Sequence, residues 1–196
     1  MKKLLLGVVL LSMTFAGAAS ARAATKASDA QSFVKVYTSL GDFVIQLFPE
    51  RAPLTVKNFL RYVDRGQYTN TLFHRVIANF VIQGGGYDSH YRLKPAPFDT
   101  VNESGNGLSN ARGTVGLARD TAPDSGNCQF YVNLNDNSEL DPSAARWGYA
   151  VFGRVVKGMN VVDRIGNLPT GAAGPFKSDA PIPPVVIRKI VRVDAP

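Results

Sequence analysis

The segment Phe73–Gly86, FHRVIANFVIQGGG, places an arginine and a glutamine inside an apolar run that is typical of a core strand. On a strand without a kink, residues an even number apart share a face, so Arg75 and Gln83 fall on the same side as Ile77 and Val81. A guanidinium beside an apolar surface costs free energy unless it is hydrogen-bonded, and Gln83 is a candidate partner. The pair could face a substrate in an apolar groove. The same spacing also fits a solvated strand arginine with a neighbouring glutamine.

The sequence has no pattern for nucleophilic or metal catalysis. Its two histidines, His74 and His90, and its single cysteine do not form a cluster at zinc-ligand spacing. There is no G-x-S-x-G segment that would present a serine to a histidine. The glycines 84–86 match no phosphate-binding pattern and indicate a turn or a close backbone approach after a strand. We therefore expect no metal site.

Two potentially reactive residues favour structural roles. The side chain of His74 should point to the strand face opposite Arg75, which predicts a hydrogen-bonded structural histidine. Cys128 has no neighbouring base that would stabilise a thiolate, so we expect a buried, unreactive thiol. A single cysteine cannot form an internal disulfide, so stability must come from the core.

The elements that must position Arg75 and Gln83 are mostly short strands. Turn residues and β-rich runs predict strands at Phe33–Tyr37, Phe43–Phe48, Leu72–Val76, Asn79–Gln83, Gly113–Ala118, Gln129–Asn133, Tyr149–Phe152 and Val185–Val193. Helical periodicity predicts helices at Leu54–Arg65 and Gly158–Ile165. Loops are expected at 84–97 and 170–184. Many strands without strand–helix alternation favour an antiparallel barrel or sandwich.

The N-terminus has the pattern of a secretory signal peptide. Lys2 and Lys3 precede an apolar run from Leu4 to about Ala18, and small residues end at Ala23. The run of about 15 residues is shorter than the roughly 20 that a transmembrane anchor needs, so no stable membrane insertion is expected. We predict a signal peptide at 1–23, a flexible segment at 24–32 and one domain at 33–196.

Removal of the signal peptide would also lower the net positive charge, and this weakens the argument for a nucleic-acid partner. Lys2, Lys3 and Arg22 would leave with it, lowering the formal net charge from +7 to +4. No Lys/Arg-rich run of the kind that marks nucleic-acid binding is present. We expect no nucleic-acid partner.

Several segments together resemble one family. FHRVIANFVIQGGG, RGTVGLAR, the stretch Ser125–Tyr131 and YAVFGRVVKGMNVVD are similar, in order and spacing, to motifs of the cyclophilins, the cyclosporin-binding peptidyl-prolyl cis–trans isomerases. The similarity runs from about Val34 to Val193. With the signal peptide, the chain looks most like the periplasmic cyclophilins of Gram-negative bacteria. This implies a periplasmic location, with secretion as the alternative.

The resemblance implies a mainly β fold, a closed eight-stranded antiparallel barrel capped by two α-helices, with a cofactor-free groove on its outer face. Arg75 matches the catalytic arginine of the family, and Gln83 matches the glutamine that positions it. Phe80 matches the floor of the proline pocket and Leu140 a pocket wall. The other residues that match the groove are Val81, Ala118, Arg119, Gln129, Tyr131 and Tyr149.

Some positions depart from the family's usual residues. Glu139 stands where many members have a tryptophan that contacts cyclosporin, so we expect weak cyclosporin binding. Val81 replaces a methionine, Tyr131 a phenylalanine, Tyr149 a histidine and Arg119 an asparagine. The changes at 81, 131 and 149 keep bulk or apolarity, so activity should survive. They leave open the preference for the residue before proline.

The expected function is isomerisation of Xaa–Pro bonds in unfolded or newly exported proteins, by a monomer that assists their folding. The alternative is a chaperone module that captures proline-containing peptides with incidental turnover. Arg75 favours the enzyme, because a pure binder would not need it. A small barrel that binds carbohydrate or nucleic acid is disfavoured, since the aromatic and basic residues form no interleaved patch.

Overall fold

The computed structural model describes residues 32–196. The predicted signal peptide at 1–23 and most of the segment predicted to be flexible lie outside this range, and Ser32 begins the first strand. The strands are β1 (Ser32–Thr38), β2 (Gly41–Leu47), β3 (Thr71–Ile77), β4 (Val81–Asp88), β5 (Thr114–Leu117), β6 (Phe130–Asn133), β7 (Val151–Lys157), β8 (Thr170–Ala173), β9 (Phe176–Pro181) and β10 (Val185–Val193). The helices are α1 (Pro53–Asp64) and α2 (Met159–Gly166).

Eight of these strands close into an antiparallel barrel in the order β1-β10-β3-β4-β6-β5-β7-β2. The predicted mainly β fold, a closed eight-stranded barrel with two helices, is confirmed. The expectation of a plain connection at 170–184 is wrong, because β8 and β9 pair there as a separate two-stranded sheet. This segment has few apolar residues, so its strands depend on local pairing and on the contact of Phe176 with His74 and Tyr87.

The barrel interior is aromatic, and α1 closes over it. Phe59 on α1 is fully buried, with its ring centroid 5.8 Å from that of Phe130 and 5.1 Å from that of Phe152. Replacing such a side chain by alanine typically costs about 3–5 kcal/mol. Pro53 suits the first turn of α1, and the Glu103 carboxylate accepts hydrogen bonds from the N–H groups of the next two residues.

The glycines 84–86 lie within β4, so the loop predicted from residue 84 begins only after Asp88. The turn interpretation is wrong, but the close backbone approach is confirmed: a Cβ atom on Gly84 would lie 2.8 Å from the Leu72 carbonyl oxygen. The actual turn lies between β3 and β4, where Asn79 adopts a φ of 60°. Arg75 and Gln83 therefore share a face as opposite members of a hairpin, not as members of one strand.

Candidate active site

The ten residues predicted for the groove gather in two adjoining cavities. Nine of them line a cavity of about 260 Å³, namely Arg75, Phe80, Val81, Gln83, Ala118, Arg119, Tyr131, Leu140 and Tyr149. Gln129 lines a smaller cavity of about 50 Å³ that shares Gln83, Ala118 and Arg119 with the first. Residues far apart in the sequence thus meet on one side of the barrel.

Antiparallel pairing positions the charged group. Arg75 on β3 lies opposite Gln83 on β4, and its Nη1 donates a hydrogen bond to Gln83 Oε1 at 3.2 Å. Gln83 Nε2 in turn donates to Gln129 Oε1 at 3.2 Å. Gly86 leaves room for this second amide, since a Cβ atom there would lie 2.6 Å from the Gln129 side chain. Two amides in series therefore orient the guanidinium.

Apolar and aromatic side chains form the walls of the larger cavity. Phe80 is half-buried at the β3–β4 turn, and Val81 is buried at the start of β4. Leu140 ends a 3₁₀ turn at Ser138–Leu140, and its carbonyl accepts the backbone N–H of Tyr149 at 2.9 Å. The Tyr131 and Tyr149 rings meet edge to face with centroids 6.2 Å apart. The result is a partly apolar recess that is also lined by two guanidinium groups, those of Arg75 and Arg119.

Arg119 lines the cavity, and its N–H groups donate hydrogen bonds to backbone carbonyls of the protein. Its Nη2 donates to the Trp147 carbonyl at 2.8 Å and its Nε to the Gly148 carbonyl at 3.2 Å. Its Nη1 binds the Asp120 carbonyl, and the guanidinium lies 4.6 Å from the centroid of the Tyr149 ring. The family resemblance implies that Arg119 lines the groove. It does line the cavity, and its hydrogen bonds also hold Tyr149 and the loop before it.

The two potentially reactive residues are buried. His74 packs against Tyr87 and Phe176, away from the Arg75 cavity. Burial lowers its pKa to about 4, and the nearby Leu72 backbone and Gln129 side chain offset only part of this. The ring atom Nδ1 has no hydrogen-bond partner within residues 32–196. The predicted burial of Cys128 is confirmed, and this burial raises the pKa of its thiol to about 11, as expected for an unreactive thiol.

A larger cavity lies elsewhere. It measures about 690 Å³ and is lined by residues of α1 together with Ser32, Pro49, Glu50, Arg65 and Arg192. It contains none of the predicted site residues, and its Asp64 and Arg192 side chains form an ion pair at 2.7 Å.

Over residues 32–196 no group of three or more acidic, histidine or cysteine side chains could hold a metal ion. No helix in that range is long and apolar enough to cross a membrane.

Sequence reasoning missed several polar residues of the site. Asp120, Ser125 and Asn127 line the smaller cavity, and Asn110 lies behind the larger one. The first three belong to a polar turn between β5 and β6. The sequence shows that this turn is polar, but it does not show that these side chains face the cavity. Nothing in the spacing around Asn110 distinguishes it from an ordinary loop asparagine.

Comparison with known proteins finds one family that covers most of the chain. The model of the family "Cyclophilin type peptidyl-prolyl cis-trans isomerase/CLD" matches residues 33–192. The chain is 41% identical to peptidyl-prolyl cis-trans isomerase A of Dickeya dadantii, over 98% of this chain and 100% of that protein. It is 46% identical to peptidyl-prolyl cis-trans isomerase B of Escherichia coli, over 80% of this chain and 97% of that protein.

Solved structures show the same fold. A cyclophilin-type isomerase of Cryptosporidium parvum, crystallised in the presence of the dipeptide Ala-Pro, superimposes with a TM-score of 0.68 and 27% identity. The superposition covers 83% of this chain and 99% of the other. The barrel, the match to the family model and these relatives together show that the chain belongs to the cyclophilin family of peptidyl-prolyl cis–trans isomerases.

Proposed function

We propose that the Arg75 groove accelerates rotation about Xaa–Pro bonds in newly exported polypeptides in the periplasm and so assists their folding. One observation carries the chemistry: the Arg75 guanidinium, hydrogen-bonded to Gln83, lines a cavity of about 260 Å³ that also presents apolar side chains. Family membership supports isomerisation, and the N-terminal sequence pattern supports export.

The arginine would act on the transition state. Rotation has a barrier of about 18–20 kcal/mol because amide resonance must be lost. At the twisted geometry the prolyl nitrogen becomes pyramidal and gains a lone pair. An N–H group of Arg75 can donate a hydrogen bond to this lone pair. A hydrogen bond that forms only in the twisted state lowers the barrier without tightening the ground state. Arginine suits this role because it stays charged and has fixed donor geometry.

The apolar walls would hold the proline ring while the preceding peptide group turns. Phe80, Val81 and Leu140 offer surfaces of suitable size and present no charge to the ring. Rotation breaks no covalent bond, so the mechanism needs neither a nucleophile nor proton transfer. The low pKa of His74 and the high pKa of Cys128 are consistent with structural roles for both.

The test is cis–trans exchange in an Ala-Pro-Phe-type peptide, followed by NMR with the mature protein. We expect rapid exchange, a loss of about 10²–10³-fold in kcat/KM for Arg75→Ala, and continued peptide binding by that variant. Arg154→Ala is the matched control, because Arg154 also pairs with a strand glutamine but lies outside the groove. Binding without faster exchange in the unmodified protein would support a peptide-capturing module instead.

Export has its own test. In a Gram-negative host, the mature protein should appear in the periplasm with Ala24 as its first residue. Leu10→Arg interrupts the apolar run and should leave an uncleaved protein in the cytoplasm. Retention of the unmodified full-length chain in the membrane or cytoplasm would contradict the proposal, and appearance in the medium would indicate secretion.

A further inference from the structure

Asn110 is completely buried behind the groove and binds several of its walls. Its Oδ1 accepts a hydrogen bond from the Tyr131 hydroxyl at 2.6 Å and one from Asn133 Nδ2 at 3.2 Å. Its Nδ2 donates to Asp141 Oδ1 at 2.8 Å and to the Tyr149 carbonyl at 3.4 Å. One side chain thus uses both ends of its amide to join three segments of the cavity wall.

The first connection directs the Tyr131 hydroxyl away from the groove. Tyr131 is 4% exposed, and burial raises its pKa well above the usual value, so the hydroxyl remains a donor. Across the β5–β6 ladder, Gly116 makes room for the ring: a Cβ atom there would lie 2.2 Å from the Tyr131 side chain. The hydroxyl has its acceptor in Asn110, and the ring is left as the surface that lines the cavity.

The second connection holds the segment that carries Leu140. Asp141 follows Leu140 directly, and its Oδ1 accepts both the Asn110 side chain and the Asn110 backbone N–H at 2.8 Å. Ser109 Oγ donates to the other carboxylate oxygen at 2.5 Å. Burial raises the pKa of Asp141, but these hydrogen bonds lower it by more, and the net pKa lies below its usual value. The accepting carboxylate therefore stays ionised.

The third connection reaches the cavity wall at Phe80. Asn133 Oδ1 accepts from Asn137 Nδ2 at 2.7 Å, and the same Nδ2 donates to the Phe80 carbonyl at 2.9 Å. The Asn137 backbone N–H also donates to the Asn110 carbonyl at 2.9 Å. Buried networks of this kind are rigid when every member has a partner, and they are costly to break at one point.

We propose that Asn110 is a positioning residue for the proline pocket, which fixes Tyr131, the Leu140 segment and Phe80 relative to one another. The inference rests on the proposed function, since it concerns the same groove. Asn110 touches no substrate and acts through the walls it holds. Because those walls grip the ring in both the planar and the twisted state, its loss weakens peptide binding more than it slows the bound reaction.

The experiment compares Asn110→Ala, Tyr131→Phe and the double variant. Asn110→Ala leaves the buried Tyr131 hydroxyl without its acceptor and should raise the peptide KM and Kd about tenfold, with kcat within about threefold. Tyr131→Phe alone should raise them less, because Asn110 Oδ1 keeps Asn133. The double variant should recover part of the affinity lost in Asn110→Ala, since removing both partners leaves no unsatisfied hydroxyl.

Tyr62→Phe is the matched control. It removes another buried hydroxyl, which donates to the Phe98 carbonyl at 3.0 Å beside α1 and lies outside the groove. It should lower thermal stability without changing peptide affinity. If Asn110→Ala does not fold, Asn110→Ser is measured instead, and its affinity should also recover when Tyr131→Phe is added.

Peptide Kd is measured by NMR titration and therefore does not depend on turnover. If the unmodified protein binds but does not isomerise, the proposed function fails while the Kd comparison still tests Asn110. The positioning proposal is overturned if the Asn110 variant binds as tightly as the unmodified protein. It is also overturned if Tyr131→Phe restores nothing, or if Tyr62→Phe weakens binding equally.

Discussion

Gln83 lies directly opposite Arg75 in the β3–β4 ladder, and the two side chains are joined by a hydrogen bond of 3.2 Å. The barrel repeats this arrangement elsewhere: Gln46 on β2 lies opposite Arg154 on β7, with a bond of the same length. Of these two cross-strand pairs, the first lines the groove and the second does not. The protein therefore contains a matched control for the role of the first pair.

We expect Gln83→Ala to lower kcat/KM about tenfold, because a hydrogen bond to a charged group is worth about 1.5–3 kcal/mol and water can replace part of it in a half-buried site. The guanidinium would lose its orientation but not its charge. Exchange NMR measures the effect. Gln46→Ala should leave kcat/KM unchanged, and an equal loss in both variants would contradict an orienting role for Gln83.

Arg119→Lys tests the wall residue. Lysine lacks the planar face that stacks on Tyr149 and the fork that reaches the Trp147 and Gly148 carbonyls. We expect KM to rise about three- to tenfold, the effect of a lost cation–π contact and hydrogen bond, with little change in kcat. Arg154→Lys should change neither constant. A large fall in kcat with unchanged KM would show that Arg119 contacts the reacting bond.

His74 should make stability depend on pH. Its pKa is about 4 in the folded protein against 6.5 for the unperturbed group, so the unfolded chain binds more protons between these values. This contribution is complete above pH 6.5 and is lost as pH falls toward 4. Between pH 7 and pH 5 the free energy of unfolding should fall by about 2 kcal/mol from this group.

Urea unfolding at several pH values measures this dependence. His74→Phe should remove it, because phenylalanine can stack on Phe176 and does not titrate in this range. The exposed His90 provides the control, and His90→Asn should keep the dependence. An unchanged pH profile in His74→Phe would show that another group is responsible.

Cyclosporin should bind weakly. Glu139 is exposed in the 3₁₀ turn beside the groove residue Leu140, where it offers a carboxylate in place of an indole. We expect Glu139→Trp to tighten binding measured by calorimetry, while Glu50→Trp, at an exposed position outside the groove, should not. A sub-micromolar affinity for the unmodified protein would refute this prediction.

The local parts of the fold were predictable where pattern and propensity agree. The alternating residues of β1 and the 3.6-residue period of α1 identify these two elements without knowledge of the rest. The pattern at Gly84–Gly86 was ambiguous, because glycine is common both in turns and where another chain segment lies close to the backbone. Only the tertiary positions of Leu72 and Gln129 show that the second explanation applies. The β8–β9 pair was missed because its composition is that of a loop.

The candidate site divides in the same way. Residue types and motif order determined which side chains, among them Arg75, Phe80 and Gln83, belong to the groove, and they determined the family. The tertiary structure alone decided where each functional group points: Arg119 toward carbonyls, the Tyr131 hydroxyl toward Asn110, and His74 into an aromatic contact. A sequence pattern specifies the face of a strand, but partners from distant segments determine which hydrogen bonds form on that face.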